Sequence, residues 1–537
     1  MKNKSDDQER TDDLDGPHRK SRLVIVSNRL PIVLKRQNNG KWAASPGSGG
    51  LVTALEPVIR DRGGLWIGWP GTTEVELSLL EDLMAGTTQV RGFELKPVSL
   101  SAKEVRQYYR GFSNQIIWPL FHDLNSKGHF DPSHWDSYKD VNRKFALTVA
   151  ANQRRGDYIW VQDYHLMNVG QELRRLGVTQ SLGFFLHIPF PPLEVFLRLP
   201  WRYEILNSLL YYDLIGFQTR RDLRNFIHCA RNLSNDITSE GKGQIKTLNI
   251  RDRSIKVGTF PISIDYNEFS NLAITEDVSN RVSNIRSRLP NQQIILGVDR
   301  LDYSKGIPDR LEAFRKVLLR YPELQEKVVF VQVVVPSRVD VPEYNELKIE
   351  IERLVGEING ELTQRGWVPI QYLFRSLNRT ELVSWYRAAD MAMISPLKDG
   401  MNLIAKEFCA CSPEENSVLI LSEFAGAASQ LHKGALLINP YDVNGMAEAI
   451  NKAFHMPLGE RKRRMKSLRS AVRRHDIFWW VNNFLEAGYR PETETLPHRE
   501  PIHPSIRNPL APNELPWRPP GTQPIWAGIR AREGNIR

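Results

Sequence analysis

Two doubly wound α/β domains in succession are the architecture this sequence predicts, and three observations predict it. The chain is 537 residues long, too long for one ordinary hydrophobic core and enough for two of roughly 200 residues each. Short, nearly continuous apolar runs alternate with amphipathic stretches, as in parallel strands covered by helices on both faces. The alternation pauses near residue 270 and then begins again.

The first series, within residues 21–270, comprises Leu23–Ser27, Tyr158–Gln162, Leu182–Ile188, Leu214–Gln218 and Lys256–Pro261. The polar segment Asp265–Ser283 is the expected link. The second series, within residues 271–476, comprises Gln293–Val298, Val328–Val335, Ile370–Phe374, Met391–Ser395, Val418–Ser422 and Ala435–Asn439. A helix over Phe478–Ala487, inside the segment 477–490, is expected to cross back onto the first domain. Residues 1–20 are charged, lack apolar periodicity and read as a disordered head. Residues 491–537 are rich in proline and read as a disordered tail.

Composition narrows the class. Hydrophobic residues at 41% and charged residues at 25% match a soluble globular protein. No apolar run is long enough to cross a membrane, and the charged N-terminus has no apolar core of a secretory leader. Three cysteines do not make a disulfide framework, so a cytoplasmic location is expected, with Cys409 and Cys411 as small core residues. The net charge of +10 is diffuse apart from Arg461–Arg464, which reads as a solvated helix face. Neither nucleic acid nor a membrane is expected as a partner.

In open α/β sheets ligands sit beyond the carboxyl ends of the strands, so chemistry is sought there. The first strand ends in Ser27-Asn28-Arg29, and Gly47-Ser48-Gly49-Gly50 opens a helix whose amides could meet an anion or make only a tight turn. Asp163 and His187 stand at the exits of two further strands. In the second series, Arg300 and Lys305 flank a turn as a fork donor and a point charge, which suits a diphosphate as well as a local ion pair. Arg338 follows another strand. The stretch Asp399-Gly400-Met401-Asn402-Leu403 leads into a helix carrying Glu407, so helix amides and two carboxylates could receive phosphate and sugar hydroxyls. The only Asp-x-Asp is Asp13-Leu14-Asp15 in the head, and no Walker loop or Gly-x-Gly-x-x-Gly fingerprint follows a first strand. Cations and helix dipoles, rather than a metal ion, are then expected to neutralise a leaving group.

From Arg22 to about Phe484 the sequence resembles the trehalose-6-phosphate synthases. The resemblance rests on Val26-Ser27-Asn28-Arg29, Gly64–Trp69, Phe184–Pro191, Arg300–Gly306 and Asp399–Leu403, in that order. It implies two Rossmann-like domains of the GT-B kind facing each other across a cleft, and glucose transfer from a nucleoside diphosphate glucose such as UDP-glucose to glucose 6-phosphate. It implies retention of anomeric configuration and no metal or other cofactor. By the same resemblance Arg29, Trp69, Tyr109, Trp118, Asp163 and Arg338 bind the acceptor. Gly50, His187, Arg300, Lys305, Asp399, Gly400, Met401, Asn402, Leu403 and Glu407 bind the donor, and His187, Arg300, Lys305 and Asp399 carry the catalysis. The resemblance also implies a separate phosphatase acting on the product, and it leaves the oligomeric state open, a homo-oligomer included. Ser263 departs from the family pattern, in which many members carry glycine. Two alternatives stand beside this reading: a sister transferase with another phosphorylated acceptor, such as glycerol 3-phosphate or a cyclitol phosphate, and a non-catalytic sugar-phosphate sensor.

Overall fold

The computed structural model describes residues 22–37, 42–47, 50–75, 92–124, 130–234, 236–250, 253–338 and 341–489. The expected head and tail, Ser48, Gly49 and the Asp13–Asp15 pair lie outside these residues.

Eleven strands precede residue 260: β1 (Leu23–Arg29), β2 (Ile32–Arg36), β3 (Trp42–Pro46), β4 (Gly64–Trp69), β5 (Glu94–Pro97), β6 (Tyr158–Gln162), β7 (Ser181–Phe185), β8 (Leu214–Phe217), β9 (Ile237–Glu240), β10 (Ile245–Ile250) and β11 (Arg253–Thr259). Nine form one sheet in the order β5-β4-β1-β6-β7-β8-β11-β10-β9, while β2 and β3 make a separate hairpin. All pairs are parallel from β5 to β11, and the two at the far edge are antiparallel. The inner strands are buried along their whole length, as parallel strands between helical layers must be. β4 and β5, and the antiparallel β9–β10, are absent from the sequence-derived series. β9 and β10 alternate exposed and covered residues at an edge, which gives no continuous apolar run.

The second sheet holds β12 (Gln293–Arg300), β13 (Val328–Val335), β14 (Ile370–Phe374), β15 (Met391–Ile394), β16 (Val418–Ser422) and β17 (Leu436–Ile438), all parallel. Its order is β14-β13-β12-β15-β16-β17, the 3-2-1-4-5-6 arrangement of a dinucleotide-binding fold. The segment Asp265–Ser283, expected as a link, is helical instead. Asp265 caps the helix Tyr266–Ala273 through the Glu268 amide, a second helix runs over Glu276–Arg288, and Phe269 and Val278 are buried. The connection is the short extended stretch before it, where Phe260, Ile262 and Ile264 are buried. Helix Ile477–Gly488 returns to the first sheet: the Trp480 indole donates to the Phe260 carbonyl at 3.0 Å and Phe484 stacks on Trp160 at 4.5 Å.

Cys229, Cys409 and Cys411 are buried free thiols. The Arg461–Arg464 cluster is not simply solvated. Arg461 donates to the carbonyls of Ala453, Phe454 and Met456 and so satisfies the end of the preceding helix. No helix among the described residues is long and apolar enough to cross a membrane.

Candidate active site

Where the strand order of an open sheet reverses, neighbouring loops diverge and leave a crevice. In the second sheet that point lies between β12 and β15, and the residues after these strands meet there. The Lys305 ammonium sits 2.8 Å from Asp399, whose carboxylate also accepts from Asn402 at 3.2 Å. Burial alone would raise the Asp399 carboxyl; Lys305 and Asn402 more than offset this and hold it below its usual range. Arg300, at the end of β12, keeps half of its side chain in solvent and lies 3.8 Å from Asp302. The local ion pair expected as an alternative therefore exists, but long and open enough to leave the guanidinium free for a ligand.

Asn402 adopts φ 87° and caps the helix Leu403–Ala410 by accepting from the Ala405 amide. Met401 is buried in the core, and Leu403 is half-buried at the first helical position. Glu407, inside that helix, accepts from the Tyr386 hydroxyl at 2.8 Å, and burial pushes its carboxyl up. Gly50 is the first residue of the helix Gly50–Arg62.

The first sheet reverses between β4–β1 and β6. A register shift after Val26 places Arg29 opposite Trp69, and its guanidinium lies 4.1 Å from the Trp69 ring centre. Gly71, at φ 91°, leaves the room this guanidinium occupies. Tyr109 meets Trp69 edge-on at 5.9 Å and stacks on His165 at 5.8 Å. It is carried by a π-helix, Val105–Ile117, whose last turn closes through the Trp118 amide onto the Ser113 carbonyl. Such widened turns concentrate at functional sites, and no periodicity expected of an α-helix would reveal one. Trp118 follows directly and receives the Arg338 guanidinium at 4.6 Å and that of Arg300 at 5.8 Å.

Asp163 leaves β6 with φ 73°, a conformation costly for a residue with a Cβ. Its carboxylate accepts the His187 amide at 3.1 Å. With no cation in contact, burial prevails over these backbone donors and raises its carboxyl to about 6. Burial likewise lowers the His187 imidazole to about 3, so it is neutral, held by Gln162 at 2.9 Å with Gln218 at 3.4 Å.

The two walls touch. A Cβ on Gly400 would lie 2.0 Å from the His187 carbonyl oxygen, so only glycine permits this approach. From the second wall Arg338, at φ 51°, donates to the Tyr344 hydroxyl at 2.5 Å and to the Tyr164 hydroxyl of the first wall at 3.2 Å. Between the walls lies a cavity of about 510 Å³ lined by Arg29, Trp69, Tyr109, Asn114 and Arg338. Burial would raise the Tyr109 phenol, but Arg338, Arg29 and Arg300 together leave it below its usual range. The Arg29 and Arg338 guanidiniums thus face one aromatic-walled space, with Arg300 near enough to act on Tyr109, which suits a phosphorylated sugar: cations for the phosphate, ring faces for the sugar.

Most residues named from sequence therefore fall on two facing walls, Arg29, Trp69, Tyr109, Trp118, Asp163 and His187 on one and Arg300, Lys305, Arg338, Asp399–Leu403 and Glu407 on the other, while no contact among the described residues ties Gly50, at the start of the helix Gly50–Arg62, to either group. Several others were not legible. Gln162 and Gln218 orient His187, Tyr344 orients Arg338 and Tyr386 holds Glu407. His122 is buried against Trp118, has no hydrogen-bond partner at Nε2 among the described residues, and meets the Trp118 carbonyl through Nδ1 at 2.7 Å; burial, with Lys305 nearby, lowers it to about 4. Only Gln162 and Gln218 carried a signal, as the last residues of apolar runs.

Two Rossmann-like sheets with cations at one switch point and a cavity lined by arginines and aromatic rings at the other define a GT-B glycosyltransferase. The family model for glycosyltransferase family 20 matches residues 21–490, and the chain belongs to that family. It is 42% identical over 472 residues to a trehalose-6-phosphate synthase of Mycobacterium avium, covering 87% of this chain and 95% of that one. A Mycobacterium leprae trehalose-6-phosphate synthase is 43% identical over 474 residues, with 87% and 94% covered. Among solved structures, a UDP-forming α,α-trehalose-phosphate synthase of Burkholderia xenovorans in complex with glucose 6-phosphate superposes with a TM-score of 0.77 at 34% identity, covering 87% of this chain and 99% of that one. An E. coli structure bound with UDP-2-fluoro glucose gives 0.76 at 34% identity, covering 87% and 98%.

Proposed function

We infer that this chain is an α,α-trehalose-6-phosphate synthase, which transfers glucose from UDP-glucose to glucose 6-phosphate with retention at the anomeric carbon. The observation that carries the reading is the pairing of two sites across one cleft: the Arg300, Lys305 and Asp399 cluster at the second switch point, and the Arg29, Tyr109 and Arg338 cavity facing it. The relatives named for this activity support the reading at 42% identity over most of the chain.

In this reading the donor diphosphate lies on Arg300, Lys305 and the amides around Gly400–Leu403, and Asp399 and His187 hold the donor glucose. Glu407 takes the ribose. The acceptor phosphate lies with Arg338, Tyr109 and Arg29, and its sugar ring lies along Trp69 and Trp118 beside Asp163. The three carboxylates assigned to the substrates are all engaged, Asp399 by Lys305 and Asn402, Glu407 by Tyr386 and Asp163 by backbone amides, so none of them is held ready as a free nucleophile. The leaving phosphate therefore does the work of the base. As the anomeric C–O bond to phosphate breaks, the acceptor hydroxyl forms the new C–O bond on the same face and passes its proton to a phosphate oxygen. Arg300 and Lys305 stabilise the negative charge that grows on that phosphate. No metal ion is required in this scheme. Removal of the product's phosphate falls to a separate phosphomonoesterase.

The test is an end-point assay of the purified protein with glucose 6-phosphate and UDP-, GDP- or ADP-glucose, with EDTA present. An α,α-1,1-linked disaccharide phosphate, read by mass and anomeric NMR, is expected with UDP-glucose. Turnover only with glycerol 3-phosphate or a cyclitol phosphate would move the chain to a sister activity, and silence with every acceptor would leave a sensor.

A further inference from the structure

A second cavity, of about 660 Å³, opens at the other end of the cleft and shares no lining residue with the first. The first lies at the ends of β1, β4 and β13; the second lies at the ends of β8 and β11 on one side and of β16 on the other. On the first sheet β6 and β7 separate them, and the contact between Gly400 and His187 stands between them in the cleft. None of the residues assigned to donor or acceptor lines it.

Its chemistry points to an anion with hydroxyl groups. Arg220 and Arg221 open the helix Arg220–Leu233, and neither guanidinium makes an ion pair with a carboxylate among the described residues. Thr219 caps the helix by accepting the Asp222 amide, while the Arg220 and Arg221 amides find no acceptor among the described residues. Two guanidiniums outside any close ion pair, of which Arg221 lies within electrostatic reach of Asp222, thus share one cavity wall with the start of this helix. The carboxylate nearest in sequence, Asp222, is already engaged, by the Thr219 hydroxyl and the Phe190 amide. The Thr259 hydroxyl, 7% exposed, lines the same cavity and has no hydrogen-bond partner, an arrangement that a buried polar atom keeps only when something else satisfies it. Across the cavity Ser429, Gln430 and Glu423 offer hydroxyl partners and Trp479 an indole face.

The walls are also tied to the catalytic groups. Gln218 reaches His187 at 3.4 Å and accepts the Ile262 amide at 2.9 Å. Gln430 accepts from Lys406 at 2.7 Å, and Lys406, which precedes Glu407, donates to the Ile262 carbonyl at 2.6 Å. Both walls therefore converge on the connection between the two sheets.

We propose that this cavity is an effector site for a hexose phosphate, with the phosphate on Arg220, Arg221 and their helix amides, the ring on Trp479 and the hydroxyls on Thr259, Ser429 and Gln430. Bridging the walls, the ligand favours the closed cleft in which Gly400 meets His187, and so raises affinity for the donor.

The experiment is calorimetric titration of the UDP-saturated enzyme with glucose 6-phosphate. Wild type is expected to bind two equivalents, and the Arg220→Ala/Arg221→Ala variant one. Ser429→Leu, which fills the cavity from an exposed position, is also expected to bind one. At saturating glucose 6-phosphate, both variants are expected to show a donor KM several-fold above wild type with kcat retained. A single equivalent in wild type, or an unchanged stoichiometry in both variants, overturns the site. Arg338→Ala separates this from the acceptor assignment: it is expected to remove the other equivalent, and its failure to do so counts against the acceptor assignment alone.

Discussion

Asp163 and Asp399 stand on opposite walls of one cleft, and their carboxyls are displaced in opposite directions. Asp163 meets only backbone amides and is raised to about 6, whereas Asp399 meets the Lys305 ammonium at 2.8 Å and is held down. The same contrast runs through the two walls. The first offers rings, a neutral His187 and the Arg29 guanidinium stacked on Trp69; the second offers cations and carboxylates in pairs. A wall of aromatic rings, a neutral imidazole and a ring-stacked cation selects and orients a ligand. A wall of paired charges answers charge that develops during reaction, because its dipoles are already in place. The comparison assigns binding chiefly to the first wall with Arg338, and turnover chiefly to Arg300 and Lys305.

The largest effect is expected at Lys305. Lys305→Ala should lower kcat about 10²- to 10³-fold, the scale of losing one preorganised partner of a developing anion, with a smaller change in donor KM. Steady-state kinetics with UDP-glucose decides this, and equal weakening of both substrates with turnover intact would erase the distinction between the walls. Next comes Arg338→Ala, expected to raise the KM for glucose 6-phosphate about 100-fold while sparing kcat, since about 2–3 kcal/mol of charge-assisted hydrogen bonding is at stake. A kcat effect larger than the KM effect would move Arg338 to the catalytic group.

Asp163→Asn tests the other half of the contrast. A carboxyl raised to about 6 does not burden the folded state below about pH 4, where folded and unfolded chains are both protonated. As pH rises towards 6 the unfolded chain ionises first and stability falls; above 6 the loss stays constant, at about 3 kcal/mol or less. The Asn variant should therefore melt above wild type at pH 8 and level with it at pH 4, while kcat/KM for the acceptor drops tenfold or more. Melting curves at the two pH values check the sign. The smallest effect belongs to Trp69→Leu, expected to raise acceptor KM about two- to five-fold through loss of the Arg29 ring contact at 4.1 Å, worth about 0.5–1 kcal/mol.

Two arginines on either side of one strand exit show where sequence reading stops. Arg300 ends β12 and Arg310 lies in the helix Ile307–Arg320 that follows; the turn beside Arg300 marks it as a candidate, with a local ion pair left open, and says nothing of Arg310. In the structure Arg310 is fully buried and satisfied by Asp299 at 2.6 Å and Ser395 at 2.8 Å, so it braces the strand exit, whereas Arg300 is left half-exposed with a long ion pair to Asp302 and a distant ring contact to Trp118. Satisfaction is a property of partners far away in the chain, and no local pattern records it.

By itself the sequence determined the parallel cores of the two sheets, the strand exits at which chemistry collects and the residue types found there, because apolar periodicity and the direction of a βαβ crossover are local rules. Tertiary structure decided the rest. It set the π-helix that carries Tyr109, the helical course of Asp265–Ser283, the close approach of Gly400 to His187, and the opposite displacements of Asp163 and Asp399. Each of these depends on which groups distant in sequence become neighbours and on how completely they exclude water, and both are settled only when the two sheets face each other.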